Sequence, residues 1–293
     1  MSNIISKLRK IPVKILKRGN INNTSTLTAK RSRILNDKSS FHVKEAYKAL
    51  RTNVVFAVPH EGSKRIIVTS ALAGEGKSTN CLNLAISFAQ TGAKVLIIDC
   101  DLRKPNVANL LNIPLTPGLS NVLANLNTID SVIVHSDYAN LDVIPSGDMP
   151  PNPAELLGSS SMEDTLNKLS ETYEYIFLDT APINVVTDTA VLSKMAHGVV
   201  VVVRQGRTDK ENVTEAIKKL SFVEANIIGF VLNGKLTDVK MGYHYGRQTY
   251  YGTRKRTRYY RRGYYGAGSH TYSSYSYGYG RARKSDKEIT KAK

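Results

Sequence analysis

The chain has 293 residues, 41% of them hydrophobic and 22% charged, which is enough apolar material for one large α/β core and excludes a wholly disordered protein. Its 41 Lys and Arg against 24 Asp and Glu leave a formal charge of +17, and its two cysteines exclude a disulfide scaffold. The longest apolar run is the five valines Val199 to Val203, far short of the roughly 20 residues that span a bilayer. No apolar stretch follows the basic N-terminus, so no secretory leader is expected and the pattern predicts an intracellular protein.

Residues 1–40 form a basic arm with 10 Lys and Arg against one Asp. Within it Lys7, Arg9, Lys10, Lys14, Lys17 and Arg18 alternate with Ile4, Ile5, Leu8, Ile11, Val13, Ile15 and Leu16. That alternation is compatible with a basic amphipathic segment on anionic lipid. Residues 41–235 carry 17 Lys and Arg against 20 acids and read as the globular body. An amphipathic helix around Glu45–Arg51 precedes a strand over Arg65–Ser70. A helix over Lys77–Gln90 stops at Gly92. Strands follow at Lys94–Asp99 and Leu141–Pro145, then a Ser-capped helix over Ser161–Thr172. Further strands fall at Glu174–Asp179, Gly198–Val203 and Asn226–Asn233, with helices near 188–195 and 209–221. Continuous rather than alternating apolar strands, separated by helices, predict a mostly parallel sheet covered on both faces. Ligands of such sheets lie beyond the carboxyl ends of the strands.

The chemistry gathers at those ends. The first strand runs into Ala71-Leu-Ala-Gly-Glu-Gly-Lys-Ser-Thr79, a phosphate loop with the GK[ST] ending that opens a helix. Gly74, Glu75 and Gly76 bring backbone N–H groups close to phosphate oxygens, and the helix N-terminus adds its dipole. Lys77 is expected on the β- and γ-phosphates, with Ser78 on Mg²⁺ and Thr79 beside it. Asp99 and Asp101 end the second strand at i and i+2, and Asp179 ends the Tyr175–Leu178 strand. Three carboxylates therefore converge where a Mg–nucleotide would lie: some organise the metal, and another is free to accept a proton. Arg204 and Arg207, just past the valine strand, face phosphate or solvent. Asp188 reads as a helix cap. Cys81 and Cys100 read as ordinary small residues.

Residues 236–293 hold 14 Lys and Arg against three acids, and 12 of the chain's 16 tyrosines: Tyr243, Tyr245, Tyr250, Tyr251, Tyr259, Tyr260, Tyr264, Tyr265, Tyr272, Tyr275, Tyr277 and Tyr279. No Leu, Ile or Val occurs between Met241 and Lys284. Such a segment cannot offset its ordering entropy by burial, so a disordered tail is expected.

With these residues in view, the chain resembles the bacterial tyrosine kinases (BY-kinases) of capsule and exopolysaccharide synthesis, P-loop ATPases near the MinD/ParA group. The resemblance rests on the phosphate loop ending GEGKST, on LIIDCDLRKP, which is similar to the family's Walker A′, on the Walker B-like YIFLDTAP, and on the tyrosine cluster. The MinD-type signature lysine is absent, since Ala71 and Leu72 stand early in the loop. By resemblance, Asp99 and Asp101 match the Walker A′ acids, one acting on the acceptor hydroxyl, and Asp101, Asp179 and Ser78 fall to Mg²⁺. Which of Asp99 and Asp101 is the base stays open. Asn233 matches the place where the family reads the nucleotide base. The family's E-x2-R-x2-R assembly motif is matched by Glu45, Lys48 and Arg51, with Lys for the first Arg, which implies a homo-oligomeric ring. The resemblance further implies ATP and Mg²⁺ as cofactors and a transmembrane activator, the polysaccharide co-polymerase subunit, as partner. It also implies other tyrosine-bearing protein substrates and a cytoplasmic location at the inner face of the membrane through that partner. The tail tyrosines are the expected phosphoacceptors: an r.m.s. span of about 40 Å lets a flexible tail of this length reach its own or a neighbour's site. The rival for the tail is nucleic-acid binding, because Arg254–Arg258 and Tyr259–Tyr265 resemble basic–aromatic segments that stack on single strands. The rival for the whole chain is a MinD/ParA-like ATPase with a nucleic-acid- or membrane-binding tail. Nucleic acid is not the expected partner.

Overall fold

The computed structural model describes residues 28–234. The expectations for the outer part of the basic arm and for the tyrosine-rich tail lie outside the described residues.

Seven strands form one sheet: β1 Lys64–Ser70, β2 Val95–Asp99, β3 Val134–His135, β4 Leu141–Ile144, β5 Tyr175–Asp179, β6 Gly198–Arg204 and β7 Ile227–Asn233. Their order is β3-β4-β2-β5-β1-β6-β7. Every neighbouring pair is parallel except β3 with β4. The fold is therefore α/β, a mostly parallel sheet with helices on both faces, as the apolar runs predict. Alternation along the strands splits the core in two. Ile66 and Val68 of β1 face one side, with Phe88, Val107 and Phe177, under the helices α1 (Phe41–Ala57), α2 (Lys77–Ala89) and α3 (Val107–Leu111). Ile67 faces the other, with Leu157, Leu166, Leu192 and Leu220. The helices there are α4 (Leu119–Leu123), α5 (Ile129–Val132), α6 (Pro153–Leu157), α7 (Ser160–Ser170), α8 (Asp188–Leu192) and α9 (Lys210–Phe222).

Helices α7 and α9 start on side-chain caps. Ser159 caps α7 by accepting from the Met162 N–H at 3.3 Å, and Asp209 caps α9 by accepting from the Asn212 N–H at 2.8 Å. β7 departs from the picture of strands covered on both faces. It is an edge strand, and Phe230 and Leu232 are exposed. At the other end of the body, Ile34 and Leu35 belong to the stretch assigned to the basic arm by charge, yet both are buried. Arg31 there donates to the Asn109 carbonyl at 2.8 Å.

Strand order decides where the site lies. β1, β5 and β2 are adjacent, and the register sets Asp179 directly opposite both Val68 and Asp99. The phosphate loop, the second-strand acids and the β5 acid thus end at one level, in the crevice where the chain switches direction across the sheet.

Candidate functional site

The phosphate loop leaves β1 at Ser70 and enters α2 at Lys77. Gly74 and Gly76 both have positive φ, 79° and 96°, which a residue with a Cβ adopts only at a cost. At Gly76 there is also no room, because a Cβ there would collide with the Asn233 amide. The loop thus keeps a bare backbone cradle that a side chain would fill, which fits a phosphate group. Glu75 is fully buried; its carboxylate accepts from the Leu72 N–H at 2.9 Å and from the Thr208 hydroxyl. The Asn233 amide donates to the Glu75 carbonyl at 2.7 Å.

Lys77, Asp101 and Asp179 meet over this loop. Lys77 Nζ lies 2.8 Å from Asp101 Oδ2, 3.6 Å from Asp179 Oδ1 and 3.4 Å from Ser78 Oγ. Burial works against the Lys77 ammonium, but Asp179 and Asp101 outweigh it and hold its pKa above the ordinary lysine value. Asp179 is fully buried, and among the described residues neither of its oxygens has a hydrogen-bond partner. Burial raises its carboxyl pKa, with Lys77 pulling the other way. A buried carboxylate left open in this way, beside a serine hydroxyl, fits a divalent cation.

The two second-strand acids are not equivalent. Asp99 Oδ2 accepts from the Asn106 and Val107 N–H groups, both at 2.9 Å, and its Oδ1 accepts from the Asp101 N–H at 3.2 Å. It thereby holds the start of α3. Burial and the facing Asp179 push its pKa up to about 7 against the pull of Lys77 and these amides. Asp101 is held by the Lys104 N–H at 3.0 Å and turns its other oxygen to Lys77.

Beside the loop, α1 and β7 enclose a cleft of about 850 Å³, lined by Tyr47, Gly76, Thr79, Asn80, Arg204 and Asn233 among others. A cleft of this size takes a small organic ligand. Glu45 and Lys48 pair with one another at 2.8 Å on the exposed face of α1. Arg51 turns inward and donates to the Ser87 carbonyl and hydroxyl of α2. The three residues of the assembly-motif match therefore do not form one cluster. The tail tyrosines lie outside the described residues.

Several participants carry no motif. Asn80 and Asn83 are buried on α2 with every polar side-chain atom engaged. Asn80 accepts from the Tyr47 hydroxyl at 3.0 Å and donates to the Gly76 carbonyl at 2.9 Å. Asn83 accepts from the Leu35 N–H at 2.8 Å and donates to the Arg33 carbonyl and the Tyr47 oxygen, each at 3.0 Å. Two asparagines three apart among the buried apolar residues of this helix are the available signal. Asp188 is not the cap its position suggests: Arg103 binds it instead. Burial raises the thiol pKa of Cys81 and Cys100 well above the usual range, which disfavours the thiolate at both.

Comparison with known proteins agrees with this geometry. Residues 63–236 match a family described as AAA domain. The chain is 41% identical over 212 residues to tyrosine-protein kinase YwqD of Bacillus subtilis, which covers 72% of this chain and 86% of that one. It is 34% identical over 218 residues to putative tyrosine-protein kinase CapB of Staphylococcus aureus, covering 74% and 94% respectively. The solved kinase domain of the Escherichia coli tyrosine kinase ETK aligns with a TM-score of 0.64 at 34% identity, over 69% of this chain and 80% of that one. A phosphate loop facing three strand-end carboxylates, in a chain this similar to those enzymes, belongs to the bacterial tyrosine-protein kinase family built on the P-loop ATPase fold.

Proposed function

We propose that this chain transfers the γ-phosphoryl group of Mg-ATP to tyrosine. Its own C-terminal cluster, Tyr243 to Tyr279, would be the first acceptor, and regulation of capsule or exopolysaccharide synthesis and export the setting. The observation that carries the reading is Asp179, a wholly buried carboxylate whose oxygens make no hydrogen bond among the described residues, beside Ser78 and Lys77 at the mouth of a glycine cradle. Ser78, Asp101 and Asp179 would hold Mg²⁺, which supplies charge neutralisation on the phosphates when bound. The backbone of Gly74, Glu75 and Gly76, with Lys77, Ser78 and Thr79, would bind the phosphates, and Asn233 would border the base in the adjoining cleft.

A tyrosine hydroxyl, with a pKa near 10, needs a positioned acceptor for its proton. Asp99 is the acid we assign to that role. Its proton affinity lies near neutrality, and its Oδ1 is only loosely engaged. Asp101 is taken by Lys77. Among the described residues no helix is long and apolar enough to cross a membrane. On the family resemblance, a separate transmembrane activator would bring this body to the inner membrane face. Glu45, Lys48 and Arg51 are the candidates for ring assembly, and other tyrosine-bearing proteins would be further substrates.

The test is to incubate the full chain with Mg-ATP, alone and with the cytoplasmic segment of an activator, and to map phosphate by mass spectrometry. Phosphotyrosine within 243–279, lost in Lys77→Met, is the expected result. Released phosphate with a bare tail would leave an ATPase of the MinD/ParA type and sink the kinase reading.

A further inference from the structure

Three side chains from the ends of the neighbouring strands β6 and β7 and the turn after β6 hold the backbone carbonyls of the phosphate loop, and a fourth, Thr208, holds the Glu75 carboxylate. The Gly74 carbonyl accepts from Arg204 Nη1 at 2.8 Å and Arg207 Nη1 at 3.4 Å. The next carbonyl, that of Glu75, accepts from Asn233. The buried Glu75 carboxylate ties Leu72 N–H to the Thr208 hydroxyl, which itself accepts from the Arg204 N–H at 2.9 Å. Of the four holding residues, Arg204 ends β6, Arg207 and Thr208 lie in the turn between β6 and α9, and Asn233 ends β7.

A trans peptide carries its C=O and the following N–H on opposite sides. Fixing the carbonyls of Gly74 and Glu75 on the arginine side therefore fixes the N–H groups of Glu75 and Gly76 on the other, where an anion would sit. The restraint matters here because both glycines stand at positive φ, and peptides flanked by glycine rotate at little cost. A buried carboxylate in an anion-binding loop also repels its ligand unless it is neutralised or held away. Thr208 and the Leu72 amide hold it, and the two guanidiniums place positive charge on the adjoining carbonyl.

We infer that Arg204, Arg207 and Thr208 are positioning residues that shape the phosphate loop before a nucleotide arrives. The inference rests on the reading of this loop as a nucleotide site. Residues that pre-shape a loop act equally on ground and transition states, so they change nucleotide affinity and leave the transfer step alone.

The test uses the full chain and a fluorescent ADP analogue with Mg²⁺. Thr208→Val is expected to weaken binding about tenfold, the scale of one hydrogen bond to a charged group. Thr208→Ser, which keeps the hydroxyl, should restore affinity to within about twofold. An Arg204→Gln, Arg207→Gln double variant should raise KM for ATP with kcat within about twofold of the unsubstituted chain. In the ligand-free protein, hydrogen exchange of the amides at 74–76 should quicken in Thr208→Val. Unchanged affinity, a serine variant as weak as the valine variant, or a fall in kcat at constant KM in the arginine variant would each overturn the inference. The last of these would put the guanidiniums on the transferring group. Absence of binding by the unsubstituted chain would overturn the nucleotide reading and this inference with it.

Discussion

Arg103 grips Asp188 through both sides of its guanidinium, Nε to Oδ2 at 2.9 Å and Nη2 to Oδ1 at 3.2 Å. The pair joins the loop after β2 to the first turn of α8, so the strand-end acids and the segment following Asp179 are held as one piece. Asp188 is fully buried while Arg103 is 37% exposed. Arg103→Ala strands a buried charge and should lower the unfolding free energy by about 1–3 kcal/mol, below the full cost of an enclosed pair because water screens the guanidinium. Arg103→Lys should recover only part, since an ammonium cannot make the fork. Urea denaturation of the three proteins measures both effects.

Removing one carboxylate from the site should stabilise the empty protein. Asp99, Asp101 and Asp179 share a single lysine, and the register sets two of them face to face. Asp179→Asn is expected to raise stability without ligand by ~1 kcal/mol, because it relieves buried like-charge repulsion. On the proposed nucleotide reading Mg-ADP should raise the melting temperature of the unsubstituted chain, and the same substitution should abolish that rise. A ligand-free variant that melts earlier than its parent would contradict this account.

His197 gives the fold an acid sensitivity away from the site. Its ring stacks on His60 at 3.7 Å, and its Nδ1 accepts from the Arg65 N–H at 2.9 Å, which requires a neutral imidazole. Burial, then His60, Arg65 and Lys64, push its pKa down to about 4 from the 6.5 of the free side chain. The unfolded chain therefore binds the proton first, and stability present above pH 6.5 should fall as the pH drops toward 4. His197→Asn keeps an acceptor without a titration. Urea midpoints at pH 7 and pH 5 should draw closer together in that variant than in its parent.

Asn83 ties the residues before α1 to the phosphate-loop helix. Asn83→Ala leaves the buried Leu35 N–H and the Arg33 carbonyl without partners, at a cost of about 1–3 kcal/mol. Melting temperature and the rate of proteolytic cleavage within 28–40 should both report the loss. Cleavage unchanged from the parent would mean that Ile34 and Leu35 anchor this stretch by burial alone.

Most of the sheet is legible because its strands are buried on both faces and announce themselves as apolar runs. β1, β2, β5 and β6 lie within a residue of their expected ends, as do α2 and α9. The phosphate loop and the convergence of Lys77, Asp101 and Asp179 follow from strand ends that topology brings to one level. What escapes the sequence is short or relational. α3 and α6 have five residues each, too few for a helical period, and α3 begins on amides held by Asp99. β3 has two residues and exists through its pairing with β4. Asp99 and Asp101, two apart on one strand end, look interchangeable until the backbone amides around Asp99 come into view. The phosphate-loop partners of Arg204, Arg207 and Thr208 lie 130 or 133 positions away and leave no local pattern.

Asn233 touches the phosphate loop and stands one residue before the last one described. Tyr243 comes ten positions later and Tyr279 forty-six. Ten residues stretched to the limit extend about 35 Å, so chain length alone caps the distance from Asn233 tightly for the first phenols and loosely for the last. Effective concentration at a fixed target falls once a leash outgrows the distance it must cover. If the tail is the acceptor, as proposed, the order in which its tyrosines are phosphorylated over time would trace contour length from Asn233 and tell a tail that serves its own site from one that serves another copy's.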